Sequence, residues 1–218
     1  MEADFWHERW ENKLTGFHLD EVNPLLTRYW SQLSLPRKSR VFVPLCGKSL
    51  DLIWLSQQGH QVVAVELSGL AVSAFFAENN LTPEQKVIGK LECWTAENIT
   101  IYCGNFFDLT ADILGNIDAV FDRASLIALP TAMREEYAAK LHELTPSAVK
   151  MLITLEYEQS KMDGPPFSVT GDEVNSLYQN NYDINQMFSV DIIDENERFK
   201  ARGLEYLHES VLKLIPII

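Results

Sequence analysis

From Arg40 onward, short apolar runs alternate with amphipathic stretches, a pattern that admits little besides a mostly parallel sheet with crossover helices. Strands are expected at Arg40–Leu45, Gln61–Glu66, Ile99–Cys103, Ile117–Asp122 and Val149–Tyr157. Helices are expected at Lys48–Gln58, Gly69–Asn80 and Thr131–Leu144, the first closed by Gly59, the second capped by Ser68 and the third ended by Pro146. The run QVVAVE is apolar throughout its middle, as in a strand covered on both faces. Residues 82–98 are weakly patterned and read as a loop with at most one short strand. Beyond Pro165–Pro166 come a helix near Gly171–Gln179 and two strands, near Asp183–Ile192 and Glu205–Leu214. The first 35 residues lie outside the alternation but carry Trp6, Trp10, Phe17 and Trp30, so they read as a docked arm of a single domain spanning 1–218.

Composition removes whole classes of function. With 18 Lys+Arg against 31 Asp+Glu in 218 residues, the formal charge is −13, a poor match for nucleic acid or an anionic membrane. No apolar run reaches the ~18 residues of a membrane span, and the start MEADFWHERWENK is not a signal peptide. Three cysteines, Cys46, Cys93 and Cys103, are too few for a disulfide framework and read as reduced thiols of a cytoplasmic protein.

The candidate chemistry gathers at the carboxyl ends of the strands, where open α/β sheets bind ligands. In the first turn, PLCGKSLD, Gly47 permits close approach of backbone to ligand, although a tight turn alone would also explain it. A dinucleotide fingerprint is absent, and the phosphate-loop pattern fails where Phe42 replaces its first glycine. Glu66 ends the second strand 19 residues after Gly47, a position suited to accepting hydrogen bonds from a ribose diol; the alternative is a solvated carboxylate. Cys103–Leu109 (CGNFFDL) suits a site for adenine, with Phe106 as a packing face, although core packing explains at least one of its two phenylalanines. Asp122–Arg123 puts a charged pair at the sheet edge, where Arg123 either pairs with Asp122 or clamps a ligand carboxylate; we favour the ligand. The five histidines are scattered, with no HExxH, no metal spacing and no GxSxG elbow, so the pattern carries no metal, triad or covalent intermediate.

Taken together, W-x₃-W, RVFVPLCGKSLDL, QVVAVELS, FDRASLIALP, LITLEY and GPPFSV resemble the thiopurine S-methyltransferase family, above all its bacterial members, over nearly the whole chain. The resemblance implies a doubly wound, Rossmann-like class I methyltransferase fold. Its sheet would be seven-stranded and mostly parallel with an antiparallel last strand, preceded by a helical arm. It implies S-adenosylmethionine as methyl donor, S-adenosylhomocysteine as product and no metal. Carried over, Trp10, Leu45, Glu66 and Arg123 match cofactor contacts, with Gly47 and Phe106 beside them. Phe17, Pro165 and Pro166 match the acceptor pocket, and Arg198 is a candidate contact for an anionic acceptor. The implied partner is a small thiol, or a selenium or tellurium analogue, handled by a cytoplasmic monomer that needs neither nucleic acid nor membrane. Trp6 and Trp10, at i and i+4, would share one helical face. Of the two, Trp6 reads as a staple for the arm and Trp10 as the ring over the cofactor. Two other readings stay open here: a nucleotide-phosphate enzyme using CGKS as a degenerate phosphate loop, and a catalytically silent S-adenosylmethionine binder.

Overall fold

A computed structural model describes residues 3–217, and the chain divides into two compact units, one ending at Phe121 and one beginning at Asp122. The first unit opens with helices α1 (Ala3–Glu11) and α2 (Pro24–Tyr29). Its strands are β1 (Arg40–Val43), β2 (Gln61–Glu66), β3 (Glu84–Ile88), β4 (Leu91–Ala96), β5 (Ile99–Cys103) and β6 (Ala119–Arg123), the last carrying the chain across the division. They lie in the order β3-β4-β5-β2-β1-β6. β1, β2 and β5 run parallel, with Val41 opposite Val62 and Glu66 opposite Cys103, and β6 joins β1 in the same sense. The middle of β2 is buried on both faces, which explains its unbroken apolar run.

Helices α3 (Asp51–Gln57), α4 (Gly69–Glu78) and α5 (Ala111–Leu114) complete this unit. α3 starts three residues later than expected, because Cys46–Leu50 are spent in turns: Ser49 N–H donates to the Cys46 carbonyl and Asp51 N–H to Ser49 Oγ. Gly59, at φ +89°, follows the helix end as anticipated, and Ser68 Oγ caps α4 by accepting from Ala71 N–H.

The largest departure lies in residues 82–98. They form the antiparallel hairpin β3–β4, bringing the described strands to nine where seven were expected. β3 is an exposed edge strand, EQKVI, with no apolar face to declare it. The available signal was the two-residue loop Gly89-Lys90 between Ile88 and Leu91, with Gly89 at φ +61° in the first loop position that favours glycine.

The second unit contains α6 (Thr131–Leu144), β7 (Val149–Glu156), α7 (Gly171–Tyr178), β8 (Tyr182–Asp191), α8 (Glu197–Lys200) and β9 (His208–Pro216). β9 lies between β7 and β8 and is antiparallel to both, as the antiparallel last strand requires. α6 has the bounds expected from sequence. Two charged groups are buried beside it. Asp122 accepts from Tyr137 Oη at 2.7 Å and from Leu126 N–H at 3.2 Å, and burial pushes its carboxyl up to about 6. Lys150 donates to the Thr145 carbonyl and hydroxyl, and burial pulls its ammonium down to about 7. Tyr157, Met162, Phe199 and Leu207 belong to a small apolar cluster of their own.

Gly89→Ala places an L side chain in the left-handed region, so it should lower stability by about 1–2 kcal/mol in urea unfolding. Gly171→Ala, with open space around its Cβ and no positive φ, is the control and should cost far less. Asp122, with its folded value raised above the unfolded one, favours folding below pH 4 and loses that contribution as pH rises through about 6. Tyr137→Phe removes a donor to the ionised carboxylate. Its cost, about 1–3 kcal/mol at pH 8, should shrink at pH 5, where Asp122 is mostly protonated.

Candidate active site

In the first unit the site is built on the turn after β1. Leu45 and Gly47 both have positive φ, +44° and +56°. For leucine this is an unfavourable backbone state of the kind that concentrates at functional sites. The turn is tied to β2 by Cys46 N–H donating to the Val65 carbonyl at 3.0 Å. Glu66, at the end of β2, is 7% exposed and joins both flanking loops. Its Oε2 accepts from Gly47 N–H and its Oε1 from Ser68 N–H, each at 2.8 Å.

Burial raises the Glu66 carboxyl above the usual carboxylate range. The amides of Ser68, Gly47 and Leu67 oppose that rise, as does the His7 imidazole on α1. Each carboxylate oxygen keeps a further lone pair, so the side chain remains a fixed two-point acceptor. It does not point into bulk solvent.

The arm covers this turn. A Cβ at Gly47 would stand 3.2 Å from Trp10 Cζ2, so glycine is what allows the indole to lie so close. Trp6 and Trp10 both meet the Phe17 ring edge-on, with centroids 5.8 and 5.5 Å away, as their spacing on one helical face implies. Trp6 also contacts Phe5, which suits a staple. Further along, Phe106 is buried and stacked on Phe42, whereas Phe107 is half-buried and its N–H donates to the Asn105 side chain.

These groups fit an adenosyl sulfonium. Glu66 matches a vicinal diol, the Gly47 cradle would be filled by any Cβ, and the Trp10 indole beside it is a ring type that attracts positive charge. They do not fit a triphosphate. Lys48 Nζ is bound to both oxygens of Glu78 at 2.7 and 2.8 Å, and the Gly47 amide is taken by a carboxylate that would repel phosphate. The degenerate phosphate loop is therefore rejected.

In the second unit Arg123 ends β6 half-buried. Asp122 is engaged by Tyr137 and Leu126, while the Arg123 charge pulls down the Glu209 carboxyl that burial raises. Pro165 and Pro166 are half-buried, and the Pro166 carbonyl accepts from Tyr157 Oη at 2.6 Å. Gln159 braces the same loop, donating to Tyr157 Oη and to the Met162 carbonyl while its Oε1 accepts from Ser168 N–H. Arg198 is exposed on α8, its guanidinium 4.7 Å from the Phe199 ring. His7, Tyr157 and Gln159 were not anticipated. No motif distinguishes them, and only the folded chain places His7 near Glu66 or Tyr157 against the loop.

Among the described residues no group of three or more His, Cys, Asp or Glu is arranged to hold a metal, and no helix is long and apolar enough to cross a membrane. The family model described as Thiopurine S-methyltransferase (TPMT) matches residues 1–215.

The chain belongs to the thiopurine S-methyltransferase family.

Thiopurine S-methyltransferase of Bordetella petrii is 49% identical over 215 residues, covering 98% of both chains. That of Nitrosospira multiformis is 47% identical over 216 residues, covering 99% of this chain and 98% of its own. Among solved structures, the 1,6-didemethyltoxoflavin-N1-methyltransferase of Burkholderia thailandensis, with S-adenosylhomocysteine bound, superposes with a TM-score of 0.63 at 18% identity. It covers 98% of this chain and 87% of its own. That likeness supports the class I methyltransferase fold, here with nine strands.

Gly47→Ala combines a left-handed L residue with a Cβ pressed against the indole. It should lower stability by about 1–2 kcal/mol and shift the tryptophan emission, both readable in one fluorescence-monitored urea titration.

Proposed function

We propose that this family member transfers the methyl group of S-adenosylmethionine to the sulfur of a small, flat, heteroaromatic thiol such as a thiopurine, by direct in-line displacement. The observation that carries the reading is the Glu66 carboxylate, held by the Gly47 and Ser68 amides with Trp10 lying over Gly47. When bound, S-adenosylmethionine supplies a methyl on a positively charged sulfur, an already activated leaving group.

The residues therefore have to bind, orient and exclude water, and placement alone accounts for roughly 7–11 kcal/mol of barrier reduction. Glu66 accepts from the ribose hydroxyls, and the turn through Leu45 and Gly47 lies against the methionyl part. Trp10, braced by Phe17, closes over the donor and keeps water out. Phe106 and Phe107 serve the adenine side. Among residues of the second unit, Arg123 and Arg198 favour the ionised form of the acceptor, and Pro165 and Pro166 contact its ring.

Heteroaromatic thiols ionise more readily than the ~8.5 of cysteine, so no side chain is assigned as general base and solvent takes the proton. Selenium and tellurium analogues are soft nucleophiles of the same kind and fall within this reading. The free cysteines Cys46, Cys93 and Cys103 suit a reducing cytoplasm.

Calorimetry on the donor and its demethylated product tests the assignment. Glu66→Ala should weaken donor binding at least tenfold, about 1.4 kcal/mol, whereas Pro166→Ala should leave it within about twofold and alter the acceptor KM. Because the Glu66 carboxyl titrates above its ordinary range, donor affinity should fall as pH is lowered through that raised value and the ionised acceptor is lost. No binding at millimolar donor would overturn the proposal, and binding without methylation of any thiol would leave only a sensor.

A further inference from the structure

Arg134 on α6 is 1% exposed, in a setting where a guanidinium is expensive to bury. Its Nη1 donates to both oxygens of Glu173 at 2.6 Å and its Nε to the Leu129 carbonyl at 2.9 Å. Among the described residues its Nη2 has no hydrogen-bond partner. An ion pair whose arginine is buried with an unsatisfied donor, and whose Glu173 is half-buried, is a weak way to add stability, since apolar residues of the same volume commonly do as well. The pair must be read from what it touches.

That neighbour is Phe167. The Arg134 Cζ lies 5.8 Å from the centroid of the Phe167 ring, within reach of a cation–π contact. The ring also occupies space that only glycine leaves open at Gly164, where a Cβ would come within 2.5 Å of Cδ1 and 2.7 Å of Cε1. The Phe167 backbone is pinned by its N–H donating to the Ile127 carbonyl at 2.7 Å. Phe167 thus directly follows Pro165–Pro166, with its main chain fixed, its ring seated against Gly164 and its π-face under a guanidinium that Glu173 and Leu129 anchor. The ring itself is only half-buried.

We propose that Arg134 is a positioning residue for the methyl acceptor, acting through Phe167: it holds that ring as a preset aromatic wall that selects flat heteroaromatic thiols over flexible aliphatic ones. The inference rests on the reading that the Pro165–Phe167 segment contacts the acceptor. Lysine cannot replace arginine here, because it lacks the planar fork that bonds Glu173 and Leu129 while facing a ring.

The test is steady-state kinetics of the full chain with 6-mercaptopurine and 2-mercaptoethanol, together with calorimetry of S-adenosylmethionine, for Arg134→Met, Phe167→Ala and the double variant. Arg134→Met should raise the KM for 6-mercaptopurine at least tenfold, reduce the preference for it over 2-mercaptoethanol, and leave donor affinity within twofold. Phe167→Ala should do the same, and adding Arg134→Met to it should change KM by less than twofold, the signature of one residue acting through another. Independent, multiplying effects would overturn the inference, as would an Arg134→Met enzyme with unchanged KM and merely less folded protein. If Arg134→Met does not fold, Glu173→Gln keeps the arginine but loosens its fork. A smaller KM rise that disappears in the Phe167→Ala background is then expected, and its absence overturns the inference. If Phe167→Ala and Pro166→Ala both leave the 6-mercaptopurine KM unchanged while methylation proceeds, the acceptor-wall reading itself fails.

Discussion

The carboxylate of Glu66 is the contact on which the loops at the end of β2 depend. By accepting one amide from the turn after β1 and another from the N-cap of α4, it fixes two loops relative to the end of β2. Burying a carboxylate is costly, and the cost is offset only while those amides remain in place. The same two bonds leave one lone pair on each carboxylate oxygen. The two loops are thus coupled through one side chain, and the acidic residue cannot be exchanged without disturbing the turn after β1.

The arm is coupled to this point by sterics. Gly47 has a positive φ and lies beneath Trp10, while Phe17 wedges against both Trp6 and Trp10. The aromatic cluster therefore fastens the arm through Phe17, with Trp10 as the ring that lies against the turn after β1. Within the second unit an analogous arrangement holds around the proline loop. Tyr157, Gln159 and Ser168 fix its backbone, while Arg134 lies over the ring of Phe167 and Gly164 leaves room for it.

Much of this was readable along the chain because it rests on local pattern. β2, β5 and α6 have the bounds that period and capping predict, since their apolar residues repeat with the geometry of the element itself. Glu66 and Gly47 were singled out by their spacing after strands and Trp10 by its family match, and the folded chain brings the three together. The hairpin β3–β4 was not, because an edge strand with solvent on its side chains has no apolar rhythm, and its short Gly89-Lys90 turn was the only mark. The late start of α3 was missed for a related reason: Cys46–Leu50 form turns stabilised by their own amides, and propensity does not register them.

What the order of residues determined by itself was the class of fold, the family and the types of side chain at the strand ends, because each follows from short-range periodicity or from contiguous motifs. Only the tertiary structure decided which groups meet. It brought His7 near Glu66 from nearly sixty residues away, paired Lys48 with Glu78, and set a buried arginine against Phe167. Such contacts join residues far apart in sequence, and their energies depend on distance and burial, quantities that a linear chain does not contain until it has folded.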